Sequence, residues 1–344
     1  MSWKDFFFIP DGIIFQNDFA MNIERLTLVR HICDAHPSTE PWTPKGYLHK
    51  QLPIYYCKIP KVASTFMEPF LPKVFLSDSL QSSFTVIENI QTPEVKHLEK
   101  QRIPDSFSYV FVREPYSRLF SAYENKLFLP NRFWRLMGKD IVRTLRGSNM
   151  ALTTGHDVNF SEFLQYIVTK YRSGKALNEH LEPMHTRCDP CTVKFDFIGK
   201  LETMGPNIES LVDTLQSVGF IDKSVAEKSA REIEAETRNS QWFRPVKKLF
   251  EIAKQNNPEL NRRQLFLRTW ASYQIRGVIL KEFEMPYIHD VIHVTENEYR
   301  DSLARAIDNS KERKDELKTQ REEALIQAYR TVPLKLMQEL RTFV

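Results

Sequence analysis

The chain has 344 residues, 42% of them hydrophobic, enough to bury a full core as one large α/β domain or two smaller ones. Its 48 lysines and arginines stand against 44 acidic residues, and a net charge of +4 is too mild to indicate a nucleic-acid partner. No stretch of eighteen apolar residues occurs, and the opening run Phe6-Phe7-Phe8-Ile9 stops at Pro10 and Asp11, too short for a signal peptide or membrane anchor, so the chain as it stands reads as soluble.

Residues 1–50 read as an entry segment, with a helix near Ile23–Cys33 and a proline-rich turn over Pro37–Pro44. Leu52–Ile59 then has the β-branched and aromatic character of a strand, which Pro60 stops. The residues after Lys61 can open a helix, whose first N–H groups have no intrahelical partner. Those backbone donors over Val62, Ala63, Ser64 and Thr65, the hydroxyls of Ser64 and Thr65, and the Lys61 ammonium together make an anion site. The segment lacks the glycines of G-x-x-x-x-G-K-[ST], which separates it from the nucleotide loop of kinases and GTPases. Pro69 and Pro72 follow early in the helix and predict that it is kinked or short.

A second strand-to-helix segment runs from Ser108 to Tyr123, with a strand over Tyr109–Val112 and Pro115 at the first helical position, where its missing N–H costs nothing. Tyr116, Leu119, Phe120, Tyr123 and Leu127 recur at helical spacing as a buried stripe, leaving Ser117, Arg118, Ser121 and Asn125 on the flank. Arg113 emerges at the carboxyl end of the strand, where open parallel sheets bind ligands. Its paired donors and the Ser121 hydroxyl suit a terminal phosphate dianion. Arg132, Arg135, Lys139, Arg143 and Arg146 form a candidate basic surface for an anionic partner.

Further on, Phe195–Ile198 reads as a buried strand and Ile208–Val218 as a helix ending at Gly219, an alternation that predicts an α/β fold with a parallel β-sheet flanked by helices. Residues 222–238 and 258–284 read as helices. Glu296–Glu323 is charge-dense, with Tyr299, Leu303, Ala306, Ile307 and Leu317 as isolated apolar points, and predicts one long exposed helix. The chain thus divides into an entry segment at 1–50, a main domain at 51–290 and a charged helical tail at 291–344. Four cysteines with a lone C-x-x-C lack the second pair or histidines of a zinc site, so no metal is expected. Asn159-Phe160-Ser161 is an N-glycosylation sequon.

Three segments carry a resemblance. They are Cys57-Lys58-Ile59-Pro60-Lys61-Val62-Ala63-Ser64-Thr65, then Arg113-Glu114-Pro115 with Ser121-Ala122-Tyr123, and then Asn178-Glu179-His180-Leu181, Cys188-Asp189-Pro190-Cys191 and Asp196-Phe197-Ile198-Gly199-Lys200-Leu201-Glu202-Thr203. Over roughly residues 50 to 205 the chain resembles the Golgi carbohydrate sulfotransferases of the chondroitin and dermatan 4-O type. Glu114 stands where that family usually has aspartate, Leu181 where it has tryptophan, and the prolines after Thr65 replace its usual tryptophan and basic residues.

The resemblance implies a P-loop-like sulfotransferase fold, 3′-phosphoadenosine 5′-phosphosulfate as the donor, no metal, and a glycan acceptor, an anionic glycosaminoglycan or related proteoglycan chain. It assigns Lys61 and Val62–Thr65 to the 5′ side of the donor, Arg113 and Ser121 to the 3′-phosphate, and the general base to His180, with Glu179, Glu124 and His156 as rivals. It also implies that Cys33, Cys57, Cys188 and Cys191 pair as two disulfides, in any of three connectivities, and that the protein works in the Golgi lumen through a membrane anchor that this sequence lacks. A catalytically silent member that binds nucleotide or glycan as an interaction protein is the alternative. A nucleotide kinase is discouraged by the glycine-free loop.

Overall fold

The computed structural model describes residues 16–38, 42–74, 84–147, 154–255 and 257–343. The opening apolar run and the middle of the Pro37–Pro44 turn lie outside the described residues. The chain forms two compact units, one of Met1–Glu114 with Asn178–Glu236 and one of Pro115–Leu177 with Thr237–Val344.

In the first unit α1 (Gln16–Ala35) precedes β1 (Tyr47–His49), β2 (Ile54–Cys57), α2 (Ser64–Val74), β3 (Phe84–Val86), α3 (Pro93–Arg102) and β4 (Phe107–Val112). The second unit takes α4 (Pro115–Tyr123), α5 (Lys139–Arg146) and α6 (Phe160–Arg172), and the first resumes with the short α7 (Met184–Arg187) and α8 (Pro190–Val193), then β5 (Phe197–Lys200) and α9 (Met204–Ser217). The unit boundary then falls within α10 (Lys223–Ala253). The remaining helices, α11 (Arg262–Ile275), α12 (Glu296–Ser310), α13 (Lys314–Arg330) and α14 (Leu334–Leu340), belong to the second unit.

The five described strands form one sheet in the order β3-β1-β2-β4-β5. β2, β4 and β5 are parallel, with Tyr56 opposite Tyr109 and Val110 opposite Ile198. The expected parallel sheet holds for these three strands, whereas β1 runs antiparallel to both β2 and β3. Chain length dictates that departure: residues 50–53 are too few for a crossover, so β1 and β2 can only form a hairpin. His49 holds its turn, with Nδ1 accepting from the N–H groups of Gln51 at 3.1 Å and Leu52 at 2.8 Å.

All four β2 residues and the first five of β4 are buried, as strands covered on both faces must be. Tyr56 stacks on Tyr109 in this core, with ring centroids 5.1 Å apart. β4 starts at Phe107, two residues before its expected start, and β5 lies two residues after its own. The outer edge of β5 is completed by side chains of α1. Asn22 accepts from Ile198 N–H at 2.9 Å and donates to Asp196 C=O at 3.2 Å, while Arg25 donates to Ile198 C=O at 2.8 Å.

Of the two outcomes expected of α2, kinked or short, the prolines do not cut it short, since its eleven residues run through both Pro69 and Pro72. Each interior proline costs about 3 kcal/mol. Met67, Phe70, Leu71 and Val74 all face the core at helical spacing, and their burial contributes about 1.5–3 kcal/mol apiece, enough to offset both prolines. Two disulfides complete this unit, Cys33–Cys191 between α1 and α8 and Cys57–Cys188 between the end of β2 and the end of α7, with Cα separations of 5.2 and 5.9 Å.

In the second unit the expected single exposed helix over Glu296–Glu323 is instead two, α12 and α13, separated at Lys311–Arg313. Tyr299, Leu303, Ala306 and Ile307 fall on one face of α12 and are buried, so the dense charge describes only its other faces. Tyr299 is enclosed by the rings of Phe266 at 5.5 Å and Trp270 at 5.7 Å, and its hydroxyl donates to Phe266 C=O at 3.1 Å.

The inward face of α4 also differs from expectation. Arg118, Leu119 and Ala122 are its buried residues, and Arg118, expected on the solvent flank, is 3% exposed. Its aliphatic stem allows that placement alongside apolar neighbours. After Tyr123 the helix widens into a π-helical turn over Glu124–Phe128, with Leu129 N–H donating to Glu124 C=O five residues back at 2.9 Å.

Candidate functional site

β2 delivers its chain to a turn at Pro60–Ala63, from which α2 starts at Ser64. In this turn Lys61 has φ 70° and Ala63 φ 50°, whereas Val62 between them does not share the left-handed conformation. For residues with a Cβ that conformation costs roughly 1–2 kcal/mol each. Alternation of hand turns successive N–H groups toward one side, the arrangement of an anion-binding nest. Ala63 C=O accepts from Met67 N–H at 3.0 Å, which makes Ala63 the N-cap of α2. Its methyl group cannot satisfy the first-turn amides as serine, threonine, aspartate or asparagine would. Strained backbone and an uncapped helix start together leave donors for a bound anion.

Arg113 lies just beyond β4, which pairs with β2 in parallel, so both carboxyl ends open on the same end of the sheet. Its guanidinium donates to Lys61 C=O at 3.1 Å. The next residue is fixed as well, because Glu114 N–H donates to the Glu202 carboxylate at 2.9 Å. Ser121 sits half-buried on α4 in the second unit.

The Asn178–Pro183 segment is tied to the root of the same turn by Arg187, which is 3% exposed. Arg187 Nε donates to Lys58 C=O at 2.6 Å, while its terminal nitrogens lie 3.3 Å from Glu182 and 3.6 Å from Glu179. Cys188, the following residue, is bonded to Cys57, so a covalent link and an arginine clamp act on adjacent residues of both chain segments. Lys58 pairs with Glu68, whose carboxylate also accepts from the Tyr47 hydroxyl at 3.1 Å.

His180 carries a defined tautomer. Asn178 Oδ1 accepts from His180 N–H at 3.1 Å, which identifies that atom as the oxygen, and it lies 2.7 Å from His180 Nδ1. An amide oxygen only accepts, so Nδ1 bears a proton and Nε2 is the nitrogen that a neutral ring leaves unprotonated. Leu181 beside it is fully buried.

Of the rival bases, Glu179 faces Arg187 in the first unit, and the other two lie in the second. Glu124 is buried in the π-helical turn and accepts from Ser272 Oγ, while His156 contacts Thr154. The five-residue basic surface is corrected at one position. Arg146 is engaged by Asp157 and Glu162, which raise its pKa, whereas Arg132, Arg135 and Arg143 are exposed.

Arg187 and the roles of Asn178, Glu182 and Glu202 escaped the sequence reading. Asn178 left a legible signal, an Asx turn of the type in which a side-chain oxygen takes the N–H two residues on. Arg187 left none, since one arginine before a cysteine has no pattern to find. Among the described residues no group of three or more His, Cys, Asp or Glu side chains gathers as a metal site. None of the described helices is long and apolar enough to cross a membrane.

A strand feeding a strained, glycine-free turn beside an arginine at a second strand end is an arrangement compatible with group transfer from a phosphate-bearing donor. Residues 47–263 match the sulfotransferase family, and the chain belongs to it. Carbohydrate sulfotransferase 14 of Danio rerio is 31% identical over 206 residues, covering 56% of this chain and 50% of that protein. The Homo sapiens protein of that name is 28% identical, covering 56% and 49%, and carbohydrate sulfotransferase 11 of Mus musculus is 30% identical, covering 52% and 54%. The chain spans about half the length of the curated relatives it matches. No solved structure matches it.

Proposed function

We propose that this chain transfers the sulfuryl group of 3′-phosphoadenosine 5′-phosphosulfate to a hydroxyl of a glycan, a glycosaminoglycan or related proteoglycan chain of the chondroitin or dermatan kind. The observation that carries this reading is the pair of left-handed residues, Lys61 and Ala63, in the turn whose Lys61 carbonyl accepts from Arg113. The fold is read as the P-loop-like sulfotransferase type, with residues 51–290 carrying the chemistry between the entry segment at 1–50 and the helical tail at 291–344.

In this mechanism the acceptor oxygen attacks sulfur in line while the bond from sulfur to the bridging phosphate oxygen breaks. The charge that develops on the departing 5′-phosphate falls to Lys61, the Val62–Thr65 amides and the Ser64 and Thr65 hydroxyls. Arg113 and Ser121 hold the 3′-phosphate. His180 Nε2 takes the proton leaving the acceptor hydroxyl. These residues supply the charge and donors the donor's phosphates require, and no metal enters the scheme.

Two disulfides support an oxidising compartment, and the Golgi lumen is the location we assign. The test is transfer of labelled sulfate to desulfated chondroitin and dermatan, lowered about 10²–10³-fold in Lys61→Ala. Intact donor binding without transfer to any glycan would reassign the chain to the silent, interaction-protein reading.

A further inference from the structure

The second unit holds an open cavity of about 380 Å³, lined among others by Tyr123, Phe128, His156, Asp157, Gln264 and Arg268. Its volume is in the range of small-molecule sites, about 300–1,000 Å³. The histidine is oriented by a relay. Thr154 N–H and Thr154 Oγ1 each donate to Glu259 Oε2 at 3.0 Å. With its single proton directed there, Thr154 Oγ1 accepts from His156 Nδ1 at 2.7 Å, which leaves Nε2 of the neutral ring as an acceptor. Burial holds the His156 pKa below its ordinary 6.5, so the neutral ring prevails at pH 7.

The cavity's arginine faces the protein. Its terminal nitrogens donate to His156 C=O at 2.7 Å and Leu127 C=O at 2.8 Å, and its guanidinium lies 5.1 Å from the ring centroids of both Phe128 and Trp134. The Asp157 carboxylate adds negative charge to the wall, although Arg146 pairs with it. Arg268 is committed to two main-chain carbonyls and the Asp157 charge is offset by Arg146, so the lining is close to neutral and selects no anion. It offers hydrogen-bond acceptors at His156 and Asp157, an amide at Gln264, and the aromatic surfaces of Tyr123 and Phe128. Hydroxyls on an uncharged ring are the complementary chemistry.

We infer that this cavity is a saccharide subsite that seats an uncharged pyranose, its hydroxyls donating to His156 Nε2 and Asp157 and its flat face lying against the aromatic wall. The sugar chemistry rests on the glycan-acceptor reading above. Gln264 is exposed on α11, so Gln264→Trp fills the cavity from a surface position, and His156→Ala removes the oriented acceptor.

The full chain is titrated calorimetrically with desulfated chondroitin and dermatan hexasaccharides and, separately, with 3′-phosphoadenosine 5′-phosphate. The expected result is a hexasaccharide Kd at least tenfold higher in both variants, with nucleotide Kd within twofold of wild type. Wild-type hexasaccharide affinity in Gln264→Trp, or no binding of either hexasaccharide by the wild type, overturns the subsite. Absence of nucleotide binding by the wild type would defeat the donor reading alone.

Discussion

Arg113 donates to the main-chain carbonyl of Lys61 at 3.1 Å, joining the residue assigned to the donor's 3′-phosphate to the one assigned to its 5′ side. In the proposed mechanism the guanidinium therefore has two duties, fixing the turn and holding the 3′-phosphate. Lysine cannot reproduce a planar fork. Arg113→Lys should raise the Kd for 3′-phosphoadenosine 5′-phosphate about 10–100-fold, the equivalent of one or two hydrogen bonds to a charged group. Lys61→Ala should act mainly on turnover, lowering it about 10²–10³-fold as loss of a transition-state donor does. Calorimetry with the nucleotide and labelled-sulfate assays separate the two, and equal effects of both variants on binding and turnover would contradict the division of roles.

Strain in the turn gives a second prediction. Ala63 holds φ 50°, a conformation that glycine adopts without penalty. Ala63→Gly should relieve about 1–2 kcal/mol of folded-state strain while adding about 0.5–1 kcal/mol of unfolded-state entropy. The net expectation is a denaturant midpoint equal to or slightly above wild type with nucleotide affinity retained. Ala63→Val should lower the midpoint, because branching at Cβ worsens the same conformation. A Val variant as stable as wild type would show that the turn is not strained there.

How much of this was legible in the sequence follows from where each signal resides. The Ile54–Cys57 strand and Pro115 as a helix start were readable because local apolar character and proline geometry determine them. The course of α2 through Pro69 and Pro72 was not, since the apolar stripe that outweighs them acts through the core. The buried face of α12 was missed for a related reason: its four apolar residues lie on one helical stripe and look isolated amid charge. In the candidate site, Lys61 and Arg113 carry recognisable chemistry in recognisable turns. Arg187 reaches Lys58 across 129 residues of chain, and no local pattern announces such a contact.

The two disulfides should be separable by function. Cys57–Cys188 closes on the root of the anion turn, whereas Cys33–Cys191 joins α1 to α8. Replacing either pair with serines should cost about 2–5 kcal/mol in stability. Only loss of Cys57–Cys188 should also weaken nucleotide binding, because it releases the covalent link beside the Arg187–Lys58 contact at the root of the turn. Nucleotide titrations on both double variants, at a temperature where each is folded, check this; equal affinities would leave the bond a purely structural role.

His49 should make the first unit acid-sensitive. Burial, reinforced by the Arg102 charge, lowers its pKa from 6.5, and its Nδ1 must stay unprotonated to accept from Gln51 and Leu52. Below about pH 6.5 the unfolded chain takes up this proton before the folded one, so the unfolded state binds more protons there and stability rises with pH. The contribution is complete above the unfolded pKa and is lost as pH falls toward the folded value. His156 and His185, also lowered by burial, add slopes of the same sign. Urea unfolding from pH 5 to 8 should therefore show a shallower acid decline in His49→Gln than in wild type, and parallel curves would remove His49 from the account.

Asn178 should govern the proton-accepting state of His180. Its side-chain oxygen accepts from both the backbone N–H and Nδ1 of His180, which in the proposed mechanism leaves Nε2 to take the acceptor's proton. Asn178→Ala releases the ring and the turn together, and sulfate transfer should fall about 10–100-fold, within the contribution of general-base catalysis, while nucleotide affinity is unchanged. Asn178→Asp retains both hydrogen bonds but places a negative charge beside the ring, which favours the imidazolium. Transfer should then survive at high pH, with the acid limb of the kcat/KM profile moved up by about one unit or more. A merely structural asparagine would lower the rate without moving that limb. If Asn178→Asp left the limb where wild type has it, His180 would not be the group whose ionisation the profile reports.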